Sequence, residues 1–224
     1  MLGTIDGDLN QTLPTNALLH LVMGVDGADL LQLLRENRVL RTLLLAANMV
    51  LDLDMILKSV DGDVALSCLS LEGELPTLLF QAKLDDDKFM KNVSNWNDAR
   101  AKLMGFNFYM KDKENGVCTF QGLPIYFGTH DKRLSISNRQ SLAEASAHTD
   151  VALSYASEMK GSRIYASLDV RRLLPYLPTR EMPARFQVWL KRFDRLSLGV
   201  RNVHDIELLL WAPDGIGLEE AINE

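Results

Sequence analysis

Four histidines, two cysteines and a scatter of acids are the side chains of this 224-residue chain best suited to chemistry. Ser157-Glu158-Met159-Lys160 matches S-x-x-K, which sets a lysine base one helical turn from a serine nucleophile. That chemistry needs the serine at the start of a buried helix, and Gly161 follows at once. The sequence contains no G-x-S-x-G, no H-E-x-x-H, no P-loop and no dinucleotide glycine fingerprint. His20, His130, His148 and His204 have no second His, Cys or paired carboxylate at metal-ligand spacing. A general base also needs a positioned partner. His20 falls in a strand-like run, His130 in a turn, and His204 beside Asp205, where a surface ion pair accounts for it.

Asp52, Asp54, Asp61 and Asp63 are the densest acidic group outside the Asp85-Asp86-Asp87 run. Calcium takes such oxygen ligands, but the spacing of a calcium-binding EF-hand loop is missing. A helix cap at Asp52 and a turn at Asp61-Gly62 explain them. Tyr109, Tyr126 and Phe127, at strand spacing, read as core of a sheet. Cys68 and Cys118 sit in apolar strand-like runs and read as buried free thiols; pairing would need adjacent strands. The sequence thus assigns no catalytic residue, no cofactor and no metal site.

Composition bounds the rest. A net charge of −6 argues against a nucleic-acid partner, because phosphate binding needs a basic face. Arg163, Arg171, Arg172, Arg180, Arg185, Lys191, Arg192, Arg195 and Arg201 make the C-terminal third locally basic, but they are spread over several elements and read as solvated surface. The longest strongly apolar run, Leu43 to Leu51, is far short of the 20 or so residues of a spanning helix, so no transmembrane segment is expected.

Residues 1–16 are turn-rich and expected to wander before a first strand at 18–25. Asp26 caps a helix over 27–37 that continues, after a bend at Asn37, over 38–50, and Asp52 caps a short helix through Lys58. Strands follow at 64–71 and 77–84, then a long helix at 85–104 with Phe89, Val93, Trp96 and Leu103 as its inner stripe. Gly105 stops that helix, and short links predict an antiparallel meander over 106–137. A helix over 139–147 closes this half.

A pattern then repeats. Leu21-Val22-Met23-Gly24-Val25-Asp26, with Leu30, Leu31 and Leu34, aligns without a gap with Ile164-Tyr165-Ala166-Ser167-Leu168-Asp169, Leu173, Leu174 and Leu177. Leu57-Lys58-Ser59-Val60-Asp61 likewise resembles Leu190-Lys191-Arg192-Phe193-Asp194. The expectation is an α+β fold: a mainly antiparallel sheet with helices packed on one face, containing a duplicated strand–helix–strand unit. It forms a single domain or a tightly packed pair, with the first copy over 18–149 and a shorter second copy over 150–224.

Leu13-Pro14-Thr15-Asn16-Ala17-Leu18 leads into the strand and Asp-capped helix. Together with Met55-Ile56-Leu57-Lys58-Ser59-Val60-Asp61-Gly62-Asp63-Val64-Ala65-Leu66, it resembles a family of lipoproteins of unknown function from Bacteroidetes. The resemblance extends over most of the chain and implies the C-terminal half of a longer protein. It also implies export to the periplasm or cell surface through a lipid-modified cysteine; this chain shows no such cysteine and no signal segment, and the alternative is a cytoplasmic protein. No active site comes with the resemblance. The expected function is a non-catalytic cell-envelope binding or interaction module, its partner an unknown protein or small ligand of the envelope. The alternative is a hydrolase with a dispersed loop-borne site or a missing N-terminal half.

The inner stripe of the 85–104 helix yields a test. Trp96→Ala should cost about 3–5 kcal/mol in a denaturant melt, the scale of losing a buried aromatic. A cost below about 1 kcal/mol would place Trp96 on an exposed face.

Overall fold

The computed structural model describes residues 2–48, 52–86, 105–144, 153–178 and 181–212. Trp96, His148 and nearly all of the expected 85–104 helix lie outside them. The framework is one antiparallel sheet: β1 (Leu2–Gly3), β2 (Leu19–Asp26), β3 (Val60–Ser70), β4 (Thr77–Leu84), β5 (Phe106–Met110), β6 (Asn115–Phe120), β7 (Leu123–His130), β8 (Arg133–Ser137), β9 (Ile164–Asp169), β10 (Arg195–Asn202) and β11 (Asp205–Trp211). The order is β11-β10-β9-β2-β3-β4-β8-β7-β6-β5, with β1 added to the end of β2 beyond the reach of β9.

The helices are α1 (Gly27–Glu36), α2 (Arg38–Asn48), α3 (Leu53–Ser59), and the shorter α4 (Gln140–Ala143), α5 (Ala156–Met159), α6 (Val170–Leu173) and α7 (Ala184–Leu190). A 3-10 turn, Leu174–Tyr176, extends α6. No helix among the described residues is long and apolar enough to cross a membrane.

Alternation along the strands creates two unlike faces. Leu19, Leu21 and Met23 share one face with Leu168, Ala166 and Ile164 of β9 and with Cys68, Leu66 and Val64 of β3. That apolar face seats α1 and α3 through Leu30, Met55 and Ile56, and at the opposite strand ends the α6–α7 segment through Leu174, Leu177 and Met182. On the other face a polar row crosses the sheet as Ser67–His20–Ser167–Ser197, all buried. Two one-turn helices, α4 and α5, lie against this face.

The repeated units stand side by side. β2 and β9 are antiparallel neighbours, and Val22 faces Tyr165. Each of these residues precedes its capping Asp by four, so the register has a local twofold through this pair. Asp26 Oδ1 accepts from the backbone N–H of Ala28 and Asp29 (2.9 and 3.0 Å), and Asp169 Oδ1 from that of Arg172 (2.9 Å). β3 and β4 flank one side as β10 and β11 flank the other. The units differ in their helices: Leu34 lies inside α1, whereas Leu177 ends the 3-10 turn. The second alignment slips by one residue. Asp26 faces Asp61, but Asp169 faces Arg195 rather than Asp194. The first copy runs from α3 straight into β3, while a short turn separates α7 from β10.

Two sequence readings change. Asp61 and Gly62 are not a turn but part of β3, opposite Asp26 and Val25. Residues 2–16 do not wander. Ile5, Leu9 and Leu13 are fully buried over the polar face, packed with Val22, Ala65, Met159 and Tyr165. The chain crosses Gly24 so closely that a Cβ there would lie 2.4 Å from the Thr4 carbonyl carbon. Asp63, 1% exposed, holds this segment: its carboxylate accepts from the backbone N–H of Asp6 (2.9 Å) and Gly7 (2.8 Å). Burial raises the Asp63 pKa above the ordinary carboxylate value, and these N–H donors oppose the rise.

Asp63→Ala should therefore cost about 1–3 kcal/mol, the scale of stranding partly buried backbone donors. Hydrogen exchange should speed up selectively at residues 5–13. The exposed neighbour Asp61 provides the control, since Asp61→Ala should stay within about 0.5 kcal/mol of the parent. Equal effects of the two changes would contradict the clip.

Candidate functional site

The buried row contains the arrangement closest to nucleophilic chemistry. His20 Nδ1 lies 2.8 Å from Ser67 Oγ, and Nε2 lies 3.1 Å from the Pro14 carbonyl. That carbonyl is an acceptor only, so the ring proton belongs on Nε2, and Nδ1 accepts from the Ser67 hydroxyl. A serine donating to a histidine is the geometry of an activated nucleophile. Here both residues are sealed, His20 at 1% exposure and Ser67 at 0%. A backbone carbonyl, not a carboxylate, orients the ring. The pair is a satisfied element of the core.

The other sequence candidates are dispersed. Ser157 and Lys160 are exposed around α5, and Lys160 is already extended backbone leading into Gly161. His130 lies 3.1 Å from the Asp131 carboxylate, and His204 sits in the β10–β11 turn. Asp52 caps α3 by accepting from the Met55 N–H, and Asp54 pairs with Arg35 and Asn48. Tyr109 and Tyr126 flank Val117 on one face, while Phe127 is buried on the other, so the three aromatics do not share a face. Cys68 on β3 and Cys118 on β6 are separated by three intervening strands, ~19 Å at ordinary strand spacing, and both are free. Among the described residues no three His, Cys, Asp or Glu side chains group as a metal site.

A concave site forms elsewhere, at the end of the polar row. A cleft of ≈ 600 Å³ opens between the loop before β2 (Thr15, Ala17), the start of the α5 segment (Ser154, Tyr155), the β9–α6 junction (Ser167, Asp169, Arg171, Arg172) and the ends of β10 and β11 (Asp194, Arg195, Trp211, Ala212). The register explains the convergence: Asp169, Arg195 and Trp211 are successive cross-strand neighbours on one face. The Arg195 guanidinium lies between two rings, 4.0 Å from the Tyr155 centroid and 4.7 Å from that of Trp211. It donates to Glu158 (2.8 Å), which also accepts from the Tyr165 hydroxyl (2.8 Å). Arg172 pairs with Asp169 at 3.3 Å, and Arg171 pairs with Asp194. Burial raises the Tyr155 pKa, against a hydrogen bond from Ser167 that lowers it, so the phenol stays neutral near pH 7.

A family model described as a domain of unknown function (DUF4836) matches residues 1–185. The chain belongs to this family. No curated protein matches it. Among solved structures, the DUF4836 chain is similar to one described as "Structure of crystal form III of TP0453", at 9% identity and a TM-score of 0.47, covering 91% of this chain and 80% of that one.

Sequence reading missed the DUF4836 cleft because its residues come from five separate stretches. The basic C-terminal third was the available signal, but Arg195 is half-buried between rings rather than fully solvated, and Arg163 donates to the Leu2 carbonyl at 2.9 Å.

The buried row predicts acid sensitivity. Desolvation lowers the His20 pKa from 6.5 to about 4. Between these values the unfolded chain binds a proton that the folded protein refuses, so stability falls as pH drops through this window. The single site accounts for about 3 kcal/mol over that interval. Urea midpoints across it should fall less steeply for His20→Gln than for the parent. Parallel profiles would assign the acid sensitivity to other groups.

Proposed function

We propose that this DUF4836 chain is a non-catalytic binding module of the cell envelope, carried there as a lipoprotein. The cleft around Arg195 supports the binding half of this reading. It is large enough for a small ligand, and mixed aromatic and polar groups converge in it from five segments, as recognition sites require. Each cleft arginine already holds a carboxylate, and the Ser67–His20 pair is sealed behind the cleft wall: His20 is the cross-strand neighbour of Ser167 and its ring lies 6.4 Å from that of Tyr155, yet it is 1% exposed. The envelope half rests on the likeness of residues 13–18 and 55–66 to Bacteroidetes lipoproteins.

Melting the protein against a library of envelope-derived small molecules tests the binding half. The expected result is a concentration-dependent rise in melting temperature for one class, following linkage, without turnover. Hydrolysis of any library member, lost on changing Asp169 or Arg195, would replace this reading with a hydrolase. Radiolabelled palmitate fed to the native host tests the envelope half. Incorporation into the full-length protein is expected; its absence removes the lipoprotein assignment alone.

A further inference from the structure

Resting on the binding reading, we infer that the Arg195 cleft takes a neutral polyhydroxylated ligand, a saccharide, rather than an ion. The charges of the cleft decide this. Arg171, Arg172 and Arg195 bring three positive charges to the lining; Asp194 and Asp169 in the lining pair with the first two, and Glu158, just outside the lining, pairs with the third. An anion entering the cleft competes with carboxylates already held by the guanidiniums, and a cation competes with guanidiniums already held by the carboxylates. A hydroxyl does neither. It donates to a carboxylate and accepts from a guanidinium without disturbing their pairing.

The remaining lining fits the same ligand. Thr15 and Ser154 add hydroxyls that act as donor or acceptor. Trp211 carries Arg195 on its ring and still leaves 43% of its surface open. An indole that is apolar in body and held at a polar rim suits the C–H face of a sugar ring. The Glu158–Arg195–Tyr155–Trp211 stack holds this platform in place before any ligand arrives, which reduces the ordering cost of binding.

Calorimetric titration of the whole chain with trisaccharides of glucose, N-acetylglucosamine, mannose and xylose, beside phosphate, citrate and spermidine, tests the inference. One trisaccharide should bind at a single site, and the three ions should neither bind there nor compete. Trp211→Ala should weaken binding by about tenfold or more, the scale of removing an aromatic anchor, and Trp211→Phe should restore most of it. Should Trp211→Ala fail to fold, Arg171→Gln, which alters an exposed pair, should weaken binding in a chain whose melting temperature is unchanged. The inference is overturned if none of the trisaccharides binds, if binding ignores both substitutions, or if citrate or phosphate occupies the cleft. A different small molecule that stabilises the chain through Trp211 would sink the saccharide class but keep the binding module. Cleavage of a bound trisaccharide would keep the class and end the non-catalytic reading.

Discussion

The ladder between β2 and β9 is the constraint on which the rest of the molecule depends. It joins Leu19–Met23 to Ile164–Leu168, segments more than a hundred residues apart in the chain. The entropy of closing so long a loop grows only slowly with its length. What offsets it is burial on both sides: leucines toward α1–α3 and α6–α7, and Val22 and Tyr165 toward the N-terminal cover. Once the ladder forms, β3 and β10 have their places, the two Asp-capped helices point to opposite ends of the sheet, and Asp169 arrives beside Arg195.

The two units use one framework for different ends. At equivalent positions the first sets Asp26 against Asp61, two exposed acids, while the second sets Asp169 against Arg195. Like charges across a strand pair repel, and opposite ones attract. Only the second unit can therefore draw a guanidinium inward, brace it with Glu158 and sandwich it between aromatic rings. In the first unit Asp63, one step along the same strand from Gly62, turns to the N-terminal segment instead. The arginine stack is thus a property of the second unit, and Thr15 and Ala17 before β2 complete the cleft around it.

Much of this frame was legible in the residues. Period-two alternation and short links identify β2, β4 and the meander closely, and Asp26, Asp52 and Asp169 cap the helices that follow them. The errors share a physical origin. Ile5, Leu9 and Leu13 recur every four residues, but turn residues between them hide a segment that is irregular and still fully buried. Asp61-Gly62 has turn chemistry, but pairing with β2 overrides it. The cleft was hidden because its chemistry arises from cross-strand register: no local spacing links Thr15 or Tyr155 to Trp211.

The way the N-terminal cover is fastened bears on how the protein is made. The Ile5 N–H donates to the Ser162 carbonyl, the Gly161 N–H to the Ile5 carbonyl, and Arg163 reaches the Leu2 carbonyl. Residues 2–5 are thus held by residues 161–163, which are translated long after them. A nascent chain that has reached only β8 has Asp63 as a partial anchor, but lacks Leu153, Met159 and Tyr165, most of the buried seat for Ile5, Leu9 and Leu13. Until β9 follows, one edge of β2 stays open to pair with any passing strand, a hazard that a chaperone or the speed of synthesis must contain.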